Sequence, residues 1–114
     1  MAWVTNEFSI TATGNNAYVA DEAVTFAGAG GSNIQIIACT LGSTDCDNFK
    51  VEYSLDGTNF DVDATSEDIP VTSLGAAATK VYVIPQAYPY YRVNAHPEGA
   101  TDATFDFVFA ELVV

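Results

Sequence analysis

Hydrophobic residues along this chain recur with a period of two. Phe8, Ile10 and Ala12 alternate with Glu7, Ser9 and Thr11, and Val24 and Phe26 flank Thr25. Phe49, Val51, Tyr53 and Leu55 alternate with Lys50, Glu52 and Ser54. Such alternation predicts strands with one face in a core and one in water. The segment 33–39 (NIQIIAC) carries Ile34, Ile36 and Ala38 on one face. Lys80–Ile84 and Tyr90–Ala95 are two further strands. The run Thr104–Val114 opens with Phe105, Phe107 and Phe109 on one face and then turns apolar on both.

Turn residues punctuate these runs. Gly14-Asn15-Asn16, the loop Ala27–Ser32 and His96-Pro97-Glu98-Gly99 interrupt them, and Asp56-Gly57-Thr58-Asn59 closes a hairpin into Phe60 and Val62. Pro70 restricts its neighbourhood to an edge strand, and Ala76-Ala77-Ala78 is the one place for a helical turn. Seven to nine short strands with turns every 8–12 residues predict an all-β, antiparallel β-sandwich of jelly-roll, immunoglobulin-like or galactose-binding-like type. The expected division is an N-terminal arm over 1–6 and one sandwich domain over 7–114.

Composition narrows the partners. The 114 residues carry 15 Asp plus Glu against Lys50, Lys80 and Arg92, a net charge of -12. Binding nucleic acid or an anionic membrane takes clustered cations, so neither is an expected partner. No apolar run approaches the ~20 residues of a membrane span. The N-terminus lacks the basic region and apolar run of a secretion signal, so synthesis in the cytoplasm is expected. That compartment favours reduced thiols at Cys39 and Cys46, with a disulfide across their loop as the alternative.

Candidate chemistry is sparse, and no cofactor is expected. His96 is the only histidine. It lies in a turn with no Ser or Cys in a nucleophile motif, so a solvent-facing role is expected and an enzyme is not. Acids concentrate at Asp61, Asp63, Glu67 and Asp68, where hard oxygen ligands could hold calcium or simply face water. Tyr88 and Tyr90, spaced to share one face, form a candidate stacking platform for a glycan. Trp3, Val4 and Phe8 in the arm, with the apolar tail Leu112, Val113 and Val114, are candidate interface residues, because free termini are usually polar.

The segment Val51-Glu52-Tyr53-Ser54-Leu55-Asp56-Gly57-Thr58-Asn59-Phe60, followed by Tyr90-Tyr91-Arg92-Val93-Asn94, resembles two kinds of protein. One is the discoidin-like galactose-binding domain. The other is a group of small tailed-phage virion proteins, the capsid decoration and tail proteins, with an S-L-D-G-T-N-[FW] hairpin before a Y-x-R-V strand. The resemblance spans Phe49 to Asn94. The phage group implies a virion protein, most simply one that decorates or cements the assembled head, with the major capsid protein or other virion subunits as partners and a homo-oligomeric state. The alternatives are a carbohydrate-binding module and a tail-tube or baseplate subunit. Neither group implies catalytic residues.

Overall fold

A computed structural model describes residues 2–13, 22–30, 32–61, 69–85, 87–99 and 101–113. Among these the strands are β1 (Ala2–Ala12), β2 (Glu22–Ala27), β3 (Ser32–Leu41), β4 (Cys46–Ser54), β5 (Phe60–Asp61), β6 (Ile69–Pro70), β7 (Thr79–Ile84), β8 (Tyr90–Pro97) and β9 (Ala103–Val113). They form two antiparallel sheets. Sheet A has the order β1-β9-β3-β7, and sheet B has the order β2-β8-β4-β5, with β6 also on β4. The chain is therefore the antiparallel β-sandwich that the alternation predicts.

The strands form because their side chains sort onto two faces. In β8 every second residue is buried, and in β9 Ala103, Phe105, Phe107, Phe109 and Glu111 are buried in turn. Packed between the sheets are the three β9 phenylalanines, Ile37, Phe49, Val51, Tyr91 and Val93. The rings meet in offset and edge-on pairs: Tyr91 with Phe109 at 4.7 Å, Phe26 with Phe109 at 4.8 Å and Phe49 with Phe107 at 5.4 Å between centroids. Burying each such side chain contributes roughly 2–3 kcal/mol.

The hairpin Asp56–Asn59 lies where its residues predict. Gly57 sits at φ 78°, and a Cβ there would come within 3.1 Å of the Tyr90 ring. Leu55 departs from its pattern: β4 ends at Ser54, and Leu55 opens the turn, largely exposed. Ala76–Ala78 forms a turn with Ala77 at φ 67°, a left-handed conformation that excludes a helical turn there.

The N-terminal residues are strand rather than arm. From Ala2 onward they pair with β9 in unbroken register, Ala2 against Val113 through Ala12 against Ala103. The physical reason is that β9 runs eleven residues and its backbone would otherwise lack a partner on that side.

Candidate functional site

The two outward faces of the sandwich differ in kind. On sheet B, Arg92 Nε donates to Glu52 Oε1 at 2.8 Å, Asn94 Nδ2 donates to the same oxygen at 2.5 Å, and the Arg92 guanidinium lies 4.4 Å from the Phe60 ring centroid. Glu52, Ser54 and Asn48 are buried despite their outward positions. That face is polar, and its polar groups satisfy one another.

The outward face of sheet A is apolar and open. Register fixes its rows. Trp3 lies beside Leu112 and then Ile34; Thr5 beside Ala110, Ile36 and Val83; Glu7 beside Val108, Ala38 and Val81. The next row, Ser9, Asp106, Thr40 and Thr79, is polar and knitted by Ser9 Oγ to Asp106 Oδ1 at 2.7 Å and Thr40 Oγ1 to Thr79 Oγ1 at 2.9 Å. Val83 is 60% exposed, Val81 56% and Trp3 52%, with Ile34 and Val108 also exposed. Four strands about 4.8 Å apart and three rows about 6.8 Å apart cover roughly 400 Å² of sheet, of which the nine apolar positions make up roughly 300 Å². The largest apolar patch on a typical monomer is of that order and is often functional.

The sequence-predicted interface residues divide. Trp3 and Leu112 are register partners on this face. Val4 and Val113 fall on the inward side of their strands by alternation, with Val4 at the open edge and 45% exposed. Phe8 is partly buried and packs against the core: its ring stacks on Phe107 at 5.1 Å and lies 5.3 Å from Phe26. Val114 lies outside the described residues.

Sequence reasoning missed Val81, Val83, Ile36 and Val108 as surface. The signal was present in the runs apolar on both faces, NIQIIAC and VFAELVV, since a half-buried strand needs only one apolar face.

The glycan platform does not form. Tyr88 precedes β8 and turns inward to stack on Tyr53 at 4.4 Å and 8°, while Tyr90 points outward over Gly57. An open cleft of about 360 Å³ between Tyr53, Tyr88, Leu55, Asp56, Asn59 and Asp61 includes the first ring without the second.

Of the calcium candidates, Asp61 is exposed on β5, and Asp63, Glu67 and Asp68 lie outside the described residues. Among the described residues no three His, Cys, Asp or Glu side chains gather in a metal-binding group. Asp56 spends its carboxylate on the hairpin itself. It accepts the N–H groups of Asn59 and Thr58 at 2.8 Å each, the Asn59 amide and the Ser54 hydroxyl, which hold its carboxyl far below the usual range.

Cys39 and Cys46 are buried free thiols, and the alternative of a disulfide is not realised. Cys39 points into the core from β3. Cys46 Sγ instead turns to the carbonyls of Ser43 at 3.5 Å and Thr104 at 3.4 Å. His96 is not a solvent-facing turn residue either. It is half-buried in β8, with Nδ1 3.2 Å from Asp47 Oδ2.

No protein-family model matches the chain, and no curated protein matches its sequence. Among solved structures it is similar to a chain from the disulfide-linked pili of Bacillus endospore appendages. The identity is 13% and the TM-score 0.44, over 98% of this chain and 89% of that one. A likeness at that level assigns neither a family nor a role.

Proposed function

We propose that this chain is a non-catalytic structural subunit of a virion, which decorates the assembled head of a tailed phage. The outward face of sheet A lies on the junctions between major capsid subunits. The observation that carries this reading is the uncovered apolar surface of Trp3, Ile34, Val81, Val83 and Val108 on a sandwich whose other face is polar and self-satisfied. The resemblance of the Ser54–Phe60 hairpin and the Tyr90–Asn94 strand to phage decoration and tail proteins supports the virion setting.

The work done is mechanical. Burying about 300 Å² of apolar surface at 25 cal/mol per Å² contributes of order 7 kcal/mol before the costs of association. Because only an assembled, expanded lattice presents the complementary site, binding stabilises that lattice by mass action. A net charge of -12 keeps the subunit off nucleic acid and keeps free copies soluble.

Cosedimentation with expanded, undecorated phage heads tests the reading. The wild-type chain is expected to pellet with the heads, and Val83→Glu to remain in the supernatant while melting at the same temperature. A wild-type chain that stays in solution, or a Val83→Glu chain that pellets equally, overturns it.

A further inference from the structure

A sheet edge presents a row of backbone N–H and C=O groups, and proteins usually blunt it with short strands, Pro, Lys or bulges. Among the described residues, three of the four sheet edges are blunted. The β7 edge is six residues long, carries Lys80 and runs into Pro85. The β2 edge is six residues long and begins at Glu22. On the far side of sheet B, β5 and β6 are two residues each, and β6 contains Pro70.

The β1 edge has none of these devices. It runs eleven residues from Ala2 to Ala12, without Pro, Gly or Lys, and Glu7 is its only charge. Its register with β9 is unbroken by any bulge, and residues 2–7 are exposed. Among the described residues no strand pairs with its other side.

We propose that a second copy of this chain occupies that edge, with the two β1 strands antiparallel across a two-fold axis at Asn6. Directly opposed residues in an antiparallel pair point to the same side of the sheet, so the axis must pass through a residue rather than between two. An axis at Glu7 would set two carboxylates against each other. The axis at Asn6 sets Val4 opposite Phe8 of the partner copy and Ala2 opposite the partner copy's Ile10, apolar against apolar on the inward side. On the outward side Glu7 meets the partner copy's Thr5 and Trp3 meets its Ser9.

The pairing has a second effect. Two four-stranded sheets become one of eight strands, with both apolar outward faces on the same side and the Thr5, Glu7 and Ser9 side chains of the two β1 strands between them. One face falls well short of the roughly 800 Å² per partner of a standard protein interface, and the dimer doubles the area presented on one side. The dimer is thus the unit that suits the docking role proposed above. It rests on that role for its purpose, while its existence is a separate matter of mass in solution.

Light scattering on the purified full chain is expected to give twice the mass of one chain. Asn6→Lys sets two ammonium groups across the axis and is expected to give a monomer with an unchanged melting temperature. Asn6→Cys is expected to oxidise to a covalent dimer, and Thr72→Cys, on an exposed turn away from β1, is not. A monomeric wild type overturns the inference. So does a dimer that survives Asn6→Lys and is lost in Val83→Glu, since that dimer would use the sheet face instead. Head binding is read separately, so a failed dimer leaves the docking reading intact, and failed docking leaves the dimer intact.

Discussion

Gln35 on β3 and Glu111 on β9 stand opposite each other, and Gln35 Nε2 donates to Glu111 Oε2 at 2.8 Å inside a core that is otherwise largely aromatic. The bond belongs to a directed chain. The Tyr88 N–H donates to the Tyr91 hydroxyl at 2.8 Å, and that hydroxyl donates to Gln35 Oε1. On the other side the Ala29 N–H donates to Glu111 Oε1 at 2.7 Å. Tyr91 and Ala29 belong to the sheet B side of the sandwich, so the network ties the two sheets together at one end. Both carboxylate oxygens of Glu111 accept hydrogen bonds.

Glu111→Gln keeps the volume but replaces one acceptor with an amide that faces a donor. The expected loss is about 2 kcal/mol, seen as a fall in melting temperature of roughly 8 °C. Gly28→Ala acts in the same direction, because a Cβ there would come within 3.2 Å of Glu111 Oε2 and 3.1 Å of the Tyr88 carbonyl.

Phe107 touches aromatic rings from β1, β4 and its own strand, with Phe8, Phe49 and Phe105 at centroid distances of 5.1, 5.4 and 6.1 Å. Phe107→Ala is expected to cost about 3–5 kcal/mol by denaturant unfolding, since a cavity shared by three rings cannot collapse from one side.

Alkali weakens the fold through groups that are buried neutral. Burial, then the neighbouring Cys46 and Asp106, push the Cys39 thiol from 9.0 up to about 12, and burial pushes the Tyr91 phenol from 10.0 up to about 12. Their charged forms are favoured only in the unfolded chain. Stability is therefore full below about pH 9 and falls as pH rises toward 12. Melting temperatures measured from pH 8 to pH 12 are expected to follow that course, and Cys39 is expected to resist alkylation at pH 8 until the chain is denatured.

At the hairpin the sign reverses. The Asp56 carboxyl is held down by donors that exist only in the folded turn, so its contribution is present near neutral pH and lost in strong acid. Asp56→Ala is expected to speed hydrogen exchange at the Thr58 and Asn59 amides by about tenfold, while core amides are unaffected.

The architecture was legible because alternation and turn chemistry agree. Phe105, Phe107 and Phe109 declare their face, and Asp56-Gly57 declares its hairpin. The orientation of β3 was not legible. Its more apolar side, Ile34, Ile36 and Ala38, faces out, and its polar Gln35 faces in with Ile37 and Cys39. Alternation shows that a strand has two faces but cannot rank them when both are apolar. Gln35 is tolerated inside only because Tyr91 and Glu111, far away in sequence, satisfy it. The same limit hid the exposed apolar face, which is the outward side of β3 together with the outward sides of β7 and β9. Tyr88 and Tyr90 misled for another reason: period-two spacing places side chains only within a strand, and β8 starts at Tyr90.

The pairing of Ala2 with Val113 sets the two ends of the described chain side by side at one corner of sheet A. A peptide fused to residue 2 or to residue 113 would emerge beside Trp3 and Leu112 and shade the outward face of sheet A. A tag suits the exposed turn at Gly75 better, where a Cβ would meet nothing within 4 Å. Adjacent ends also let a short peptide join residues 113 and 2, with new ends cut at that turn. Such a circular permutant would keep every strand pair of sheet A and leave its corner clear.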